Sequence, residues 1–342
     1  MAKRIFFSAS VVVLFCMQTV YALDPIPQES GFSGFVRAGA GGIWFKNNLV
    51  AGNSLMDIGN EVISDLYDSP DSDTTASGLF NFEAAYTFSE TRTQITLGSQ
   101  IEDLAQMELS QQLAVKQELV DKSIIMAGFL FSGIPTEVWK DPYMTNSNRQ
   151  ETDRNSSGFR FTFDRILGSN FEASYSWRNI DIDEEESGSY LGLTSAARNL
   201  LLRDGSNHKL ELNYRYTVNQ KHIFIPSIQY MVADRDGEAM SNTRTNFQLS
   251  YLFLNDPITL VLNGLVGTAD YDEVHPIYGV TREEDSYMAG IQLYYKNPFG
   301  WEPFGLNDFS VFAMETYVLT DANIDFYDTA ANIAMAGVML RF

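Results

Sequence analysis

Cysteine is nearly missing from this chain: the only one among 342 residues is Cys16. Histidine is almost as scarce, with three copies. Basic side chains number 23 against 44 acidic ones, a formal charge of −21. Such an acidic chain does not hold nucleic acid, because each phosphate contact needs a lysine or arginine. After residue 22 no apolar run approaches the roughly 20 residues that a membrane helix requires. An aromatic share of 13% excludes a disordered chain.

The first residues read as an address. Lys3 and Arg4 precede an apolar stretch, Ile5 to Val20, and Val20-Tyr21-Ala22 offers a cleavage site. This predicts a signal peptide over residues 1–22 and one domain over 23–342. Cys16 is no lipoprotein cysteine, since bulky Phe15 stands where such a signal has a small residue, and it leaves with the leader. The mature chain then has no thiol and a charge of −23, because the leader carries two bases and no acids.

What is abundant is alternation. Phe80, Phe82, Ala84, Tyr86 and Phe88 are interleaved with Asn81, Glu83, Ala85 and Thr87. Phe159, Phe161 and Phe163 alternate with Arg160, Thr162 and Asp164. The same period of two recurs from Phe171 to Arg178, from Lys209 to Tyr216, from Asn246 to Phe253 and from Ala334 to Phe342. It marks strands with one apolar and one polar face. A soluble sandwich also alternates, but full charges in mid-strand do not suit a dry core. The strongly aromatic apolar face suits a lipid boundary. The expectation is an all-β fold, a transmembrane antiparallel up-and-down barrel of about 14 strands. They are predicted at 32–45, 78–88, 93–101, 107–117, 123–131, 157–164, 170–180, 207–216, 222–233, 243–254, 258–269, 286–295, 309–319 and 330–342. The facing of 309–319 is ambiguous.

Connections alternate between short and long, as in a barrel with tight periplasmic turns and long extracellular loops. The exceptions are 296–308, long on the short side, and 102–106, short on the long side. The seven long-side segments hold 30 acidic and 8 basic residues, so nearly all the excess charge sits at one end. Asp65, Asp68, Asp71 and Asp73 lie in the first loop, Asp183 to Glu186 in another and Glu283 to Asp285 in a third. These acids either solvate the loops, bridge divalent cations to anionic lipid or bias a pore mouth. Asp234, Asp236 and Glu238 around Gly237 match part of a calcium loop without completing it, so no metal site is assigned. In the first loop, Leu55, Ile58, Val62 and Leu66 follow near-helical spacing behind Ser54, which predicts a short helix at 54–67, on the loop crown in preference to the lumen. The 296–308 connection, with Phe299 and Trp301, is expected to pack beneath the barrel.

The alternation turns Arg37, Lys116, Arg160, Arg178, Lys209, Arg215 and Arg244 inward, with Glu83, Glu108, Asp164, Glu172 and Glu211. Mixed signs imply a hydrated lumen, either a pore lining or a stiffening network. No catalytic residue is assigned. No histidine lies mid-strand beside a serine, and the remaining possibility is His275 with Asp270 or Asp272 at the loop rim. Nothing in the sequence asks for a cofactor.

Three strings carry a resemblance: Pro27-Gln28-Glu29-Ser30-Gly31-Phe32-Ser33-Gly34, Tyr295 to Trp301 followed by Pro303-Phe304-Gly305, and Asn323 to Asp328. The chain resembles, over nearly all its mature length, a proteobacterial outer-membrane barrel family filed as a domain of unknown function. The resemblance implies a Gram-negative outer membrane and supplies no site residues. Together these readings favour a porin-like channel for small hydrophilic solutes or ions. The alternatives are a non-conducting surface barrel whose acidic loops bind cations, lipid or a partner, and an outer-membrane hydrolase. Expected partners are outer-membrane lipid, the barrel-assembly machinery through the strand ending in Phe342, and small solutes or divalent cations.

Overall fold

The computed structural model describes residues 25–342, apart from 55, 104–107, 302 and 304–307. The signal peptide expected over residues 1–22 lies outside the described residues. Eighteen strands follow in order: β1 (Gly31–Lys46), β2 (Val50–Asn53), β3 (Met56–Asp57), β4 (Ser72–Phe88), β5 (Thr93–Asp103), β6 (Glu108–Glu118), β7 (Ile124–Ser132), β8 (Thr136–Trp139) and β9 (Glu151–Asp164), then β10 (Phe171–Ile182), β11 (Gly205–Tyr214), β12 (Tyr216–Asn219), β13 (His222–Arg235), β14 (Asn242–Asn255), β15 (Ile258–Val274), β16 (Thr281–Lys296), β17 (Phe309–Ala322) and β18 (Thr329–Arg341). β11 and β12 form one barrel strand interrupted at Arg215, and β2, β3 and β8 belong to loops. Fourteen antiparallel strands remain, each at one of the predicted places. β1 pairs with β4 on one side and β18 on the other, so the sheet closes and leaves no edge. Phe342 completes the seam: it donates to the Gly34 carbonyl at 3.0 Å and accepts from the Gly34 N–H at 2.9 Å. A Cβ at Gly34 would run into the Glu83 carbonyl and the Phe342 ring, which is why the seam needs glycine there.

Neighbouring residues show which face is which. Phe161 is 54% exposed and Arg160 only 3%. The apolar series read from the sequence therefore points outward, including Phe80, Phe247 and Leu249, and the polar series points into the lumen. On β17, Val311, Ala313 and Tyr317 face out while Phe312, Met314 and Val318 face in, which resolves its ambiguity. Glu315 is the charged exception on this strand's outer face, bonded by Asn332 at 3.2 Å. Several strands run further at the loop end than their apolar alternation does. β4 begins at Ser72, β9 at Glu151 and β16 at Thr281. The sequence signal fades there because both faces are polar above the apolar band.

The lumen has two unlike walls. β15 to β18 and β1 turn apolar side chains inward: Met288, Phe312, Met314, Ile333, Met335, Ile43 and Phe45. Val50, Met56 and Ile58 pack onto them, so the chain after β1 folds into the barrel. This overturns the expected helix on the crown. Among the described residues of 54–67 no helix forms, and Ile58 and Ile63 are buried. Asn47 starts the inward turn: its Oδ1 accepts the N–H groups of Leu49 at 2.6 Å and Val50 at 3.0 Å. β2 then pairs with β8, which is joined to β9. Helical spacing was misleading because burial here is set by an existing apolar wall and by strand pairing with a distant loop.

At the turn end Ile26 is buried with Ala114, Ile124 and Met126. Arg92 holds the carbonyls of Ile26 and Pro27, each at 2.6 Å, and pairs with Glu118 at 2.6 Å. In the 296–308 connection, Trp301 is 64% exposed and meets Phe309 at a 6.1 Å ring separation, so this ring is not packed away beneath the barrel.

Candidate functional site

Above the middle of the lumen, between the two walls, lies a cavity of about 210 Å³. The loop-end halves of the inward faces of β9 to β16 build most of it, and Asn47, Asn48 and Leu49 of the inserted segment border it. Period-two geometry brings its charged groups together, because inward residues on adjacent strands stack at one height. Glu108 is clasped by Arg178 and, at 3.6 Å, by Arg154. Ser156 donates to the same carboxylate at 2.7 Å. Glu284 is held by Arg282 and, at 3.2 Å, by Arg244, and accepts from Tyr271 at 3.3 Å. Arg282 also lies over the rings of Tyr327 and Tyr271, at 3.5 and 4.3 Å. Each carboxylate is thus bridged by two guanidiniums.

Arg235 stands between the clusters. Its guanidinium donates to the Ser206 carbonyl at 2.9 Å, the Asn207 side-chain oxygen at 2.7 Å and the Asp234 carbonyl at 3.5 Å, all neutral acceptors. Arg203 reaches the cavity too, but Glu185 pairs with it at 2.7 Å.

A packed lid bounds the cavity on the loop side. Phe326, Tyr327 and Met240 belong both to the cavity wall and to an apolar cluster with Ile63, Tyr143, Leu201 and Ile324. Within the lid His275 is buried. The Ile277 N–H donates to its Nδ1 at 3.3 Å, which places the ring proton on Nε2, donated to the Tyr327 hydroxyl at 2.7 Å. Tyr143 and Tyr327 share a 2.6 Å hydrogen bond. Burial, reinforced by nearby Arg282, lowers the His275 pKa to about 3, so the ring stays neutral. Arg149 ties the inserted segment to the lid through the carbonyls of Asn48, at 2.8 Å, Asn60 and Pro142. Its ring contact is Trp139, at 4.4 Å. Burial lowers its pKa to about 9, against the pull of Asp141. Asp141 in turn accepts the N–H groups of Gly188 at 3.0 Å and Tyr190 at 2.8 Å.

The twelve inward residues read from the sequence are spread along the lumen. Glu108, Arg178, Lys209 and Arg244 share the cavity. Arg37 sits in the apolar wall, donating to the Tyr294 hydroxyl at 3.2 Å beside the Phe312 ring. Asn213 joins Glu172 at 2.9 Å to Glu211 at 3.1 Å. Asp164 lies near Arg165, Arg215 and Lys116. Arg160 is buried, and Glu83 is half-buried beside Gly98. The sequence reading missed Arg154, Arg235, Arg282 and Glu284, having left them in loops. Carrying the alternation of Arg282, Glu284, Ser286 and Met288 past the apolar band would have found two of them. Glu284 is accordingly no loop acid, and Glu185 is consumed by Arg203.

Two expectations about histidine change. His275 faces tyrosines, while Asp270 and Asp272 are exposed and form no pair with it. A serine does accompany a histidine on one strand face: His208 Nε2 lies 3.4 Å from Ser206 Oγ, and its Nδ1 lies 2.8 Å from the Tyr175 hydroxyl. Asp234, Asp236 and Glu238 do not close a metal site; among the described residues no three metal-ligating side chains converge.

A closed barrel with an apolar outside and a charged inside defines a transmembrane β-barrel protein. The chain belongs to the family described as "Protein of unknown function (DUF2860)", whose model matches residues 31–341. No curated protein matches the chain. Among solved structures it is similar to the outer membrane channel DcaP of Acinetobacter baumannii, at 10% identity and a TM-score of 0.43 over 92% of this chain and 97% of that one. It is also similar to a FadL homologue of Pseudomonas aeruginosa, at 12% identity and 0.44 over 91% and 88%, and to an anion-selective porin from Comamonas acidovorans, at 9% and 0.39 over 92% and 100%. These likenesses are of overall shape.

Proposed function

We propose that the protein is a porin-like channel of a Gram-negative outer membrane, passing small hydrophilic solutes or ions, with the inserted segment 47–63 as its constriction. The observation that carries this reading is the charged cavity inside the lumen, bordered by that segment. A barrel serving only as a rigid post would gain more from an apolar filling than from carboxylates buried among arginines. Of the inward charges, Glu108, Arg178, Lys209 and Arg244 at the cavity form the solute-facing wall in this reading. Lipid covers the outer band, and the seam at Phe342 is what the assembly machinery engages. Single-channel recording of the refolded chain in a planar bilayer tests it: discrete steps are expected, larger when 54–67 is deleted. Silence from both folded proteins overturns the reading in favour of a non-conducting surface barrel whose acidic loops hold cations or a partner.

A second reading rests on Ser206, His208 and Tyr175. They sit on the outer face near the loop end of the apolar band, where Leu210 is 55% exposed. With the ring proton on Nδ1 given to the Tyr175 oxygen, Nε2 is free to take the Ser206 proton as Oγ attacks a lipid ester carbonyl. A fluorophosphonate probe is expected to label Ser206 and to fail with His208→Ala. No labelling of the folded wild-type barrel discards this reading.

A further inference from the structure

We propose that the lumen cavity is a binding site for a small multivalent oxyanion, such as phosphate or a polycarboxylate, held chiefly by Arg235 between the Arg154 and Arg244 clusters. The proposal rests on the channel reading and deepens it by naming the class of solute. Seven basic side chains and two carboxylates line the cavity among its described residues. Lys209 and Arg203 are offset by Glu211 and Glu185 from outside the lining, and the rest of the charged lining is five arginines to two carboxylates. That excess is concentrated, because Arg154 and Arg244 both lie close enough to repel Arg235.

Gathering guanidiniums of like charge is costly for a folded chain, and an anion in the cavity offsets that cost. The chain could have supplied one, since the loop end holds 30 acids. Asp234 and Asp236 flank Arg235 in sequence, yet both are exposed and the guanidinium turns to neutral oxygens instead. The two carboxylates that do enter, Glu108 and Glu284, each hold a pair of arginines in place. They fix the geometry of the cationic groups. Guanidiniums present planar paired donors, which suit oxyanions better than halide. The volume, about 210 Å³, is roughly that of seven liquid waters, room for a phosphate or a small polycarboxylate with some of its hydration. The acidic rim repels anions at a distance, so selection takes place inside, where the walls screen solvent and strengthen the basic field.

The test is calorimetric titration of the detergent-refolded full chain with inorganic phosphate and with citrate, using chloride at matched ionic strength as control. Saturable binding of one or both oxyanions is expected, with none for chloride. Arg235→Gln should weaken it at least about tenfold, the loss of one charge-assisted contact, while Lys221→Gln at the turn end leaves it unchanged. Folding of each variant is checked by its heat-modifiable gel mobility. No saturable binding, equal binding of chloride, or a folded Arg235→Gln that binds as well as wild type each overturns the proposal. Should Arg235→Gln not fold, the wild-type reversal potential in a phosphate gradient decides: anion preference supports the site and cation preference overturns it. Oxyanion binding by a barrel silent in the bilayer would sink the channel reading and keep the site. A conducting barrel that binds no oxyanion would do the reverse.

Discussion

On one side of the lumen, β15 to β18 and β1 turn Met288, Phe312, Met314 and Met335 inward, and the chain covers them with its own Val50, Met56 and Ile58. On the other, β9 to β14 turn Arg154, Arg178, Arg235 and Arg244 inward and leave them lining a cavity. An apolar wall in a water-accessible barrel has to be covered, and the nearest available cover is the loop that follows β1. A charged wall keeps favourable energy only if it is hydrated or paired, so protein withdraws from it. The same barrel therefore carries its plug and its cavity side by side, and the plug's edge at Asn47 and Asn48 becomes the cavity's border. The charge distribution follows from this division. Of the eight basic residues in the predicted loop segments, Arg154, Arg203, Arg235 and Arg282 turn into the cavity. The outer loop surface is left more acidic than its composition, and the cavity more basic.

Opening the apolar wall beneath its cover should have the largest effect. Phe45→Ala leaves a hole between the wall and the inserted segment and should cost about 3–5 kcal/mol in reversible urea unfolding, with larger conductance steps as the segment loosens. Glu284→Ala acts on the charged wall: it strands Arg244 and Arg282 together and should cost about 3 kcal/mol. In the same assay Glu284→Gln, which keeps the volume and an acceptor, should cost less. If the charged wall proves indifferent to losing Glu284, the contrast between the walls fails.

The lid offers a smaller effect that depends on pH. Unfolded, His275 titrates near its ordinary value of about 6.5; folded, it stays neutral down to about 3. Between those values the unfolded chain takes up a proton that the buried ring refuses. Stability should fall as pH drops through this window, by up to about 1.4 kcal/mol per pH unit, or about 2 kcal/mol from pH 7 to pH 5. His275→Gln should flatten that dependence, read as urea midpoints or as amide exchange over 275–280. The smallest effect is expected for Lys122→Ala, which removes an exposed partner of Glu118 at the turn end. Arg92 still holds that carboxylate, so the loss should stay below about 1 kcal/mol.

All fourteen barrel strands, the two faces of every one but 309–319, and the concentration of acid at one end were legible in the sequence. Alternation is local: Phe159, Arg160 and Phe161 declare their faces with no knowledge of neighbouring strands. The position of the first loop was not legible, because Ile58 takes its place from Met288, Phe312 and Met335, more than two hundred residues away. Nor was the cavity, because Arg154, Arg235 and Arg282 lie beyond the apolar band, where alternation no longer contrasts oil with water. The serine beside His208 was visible as Ser206-Asn207-His208, but its distance to the ring came only with the fold. Composition and period by themselves determined that this chain builds strands with an apolar outer face and charges turned inward. Closure of the barrel alone decided which inward faces meet, since every contact across the lumen joins strands whose order along the chain says nothing about the chemistry opposite them.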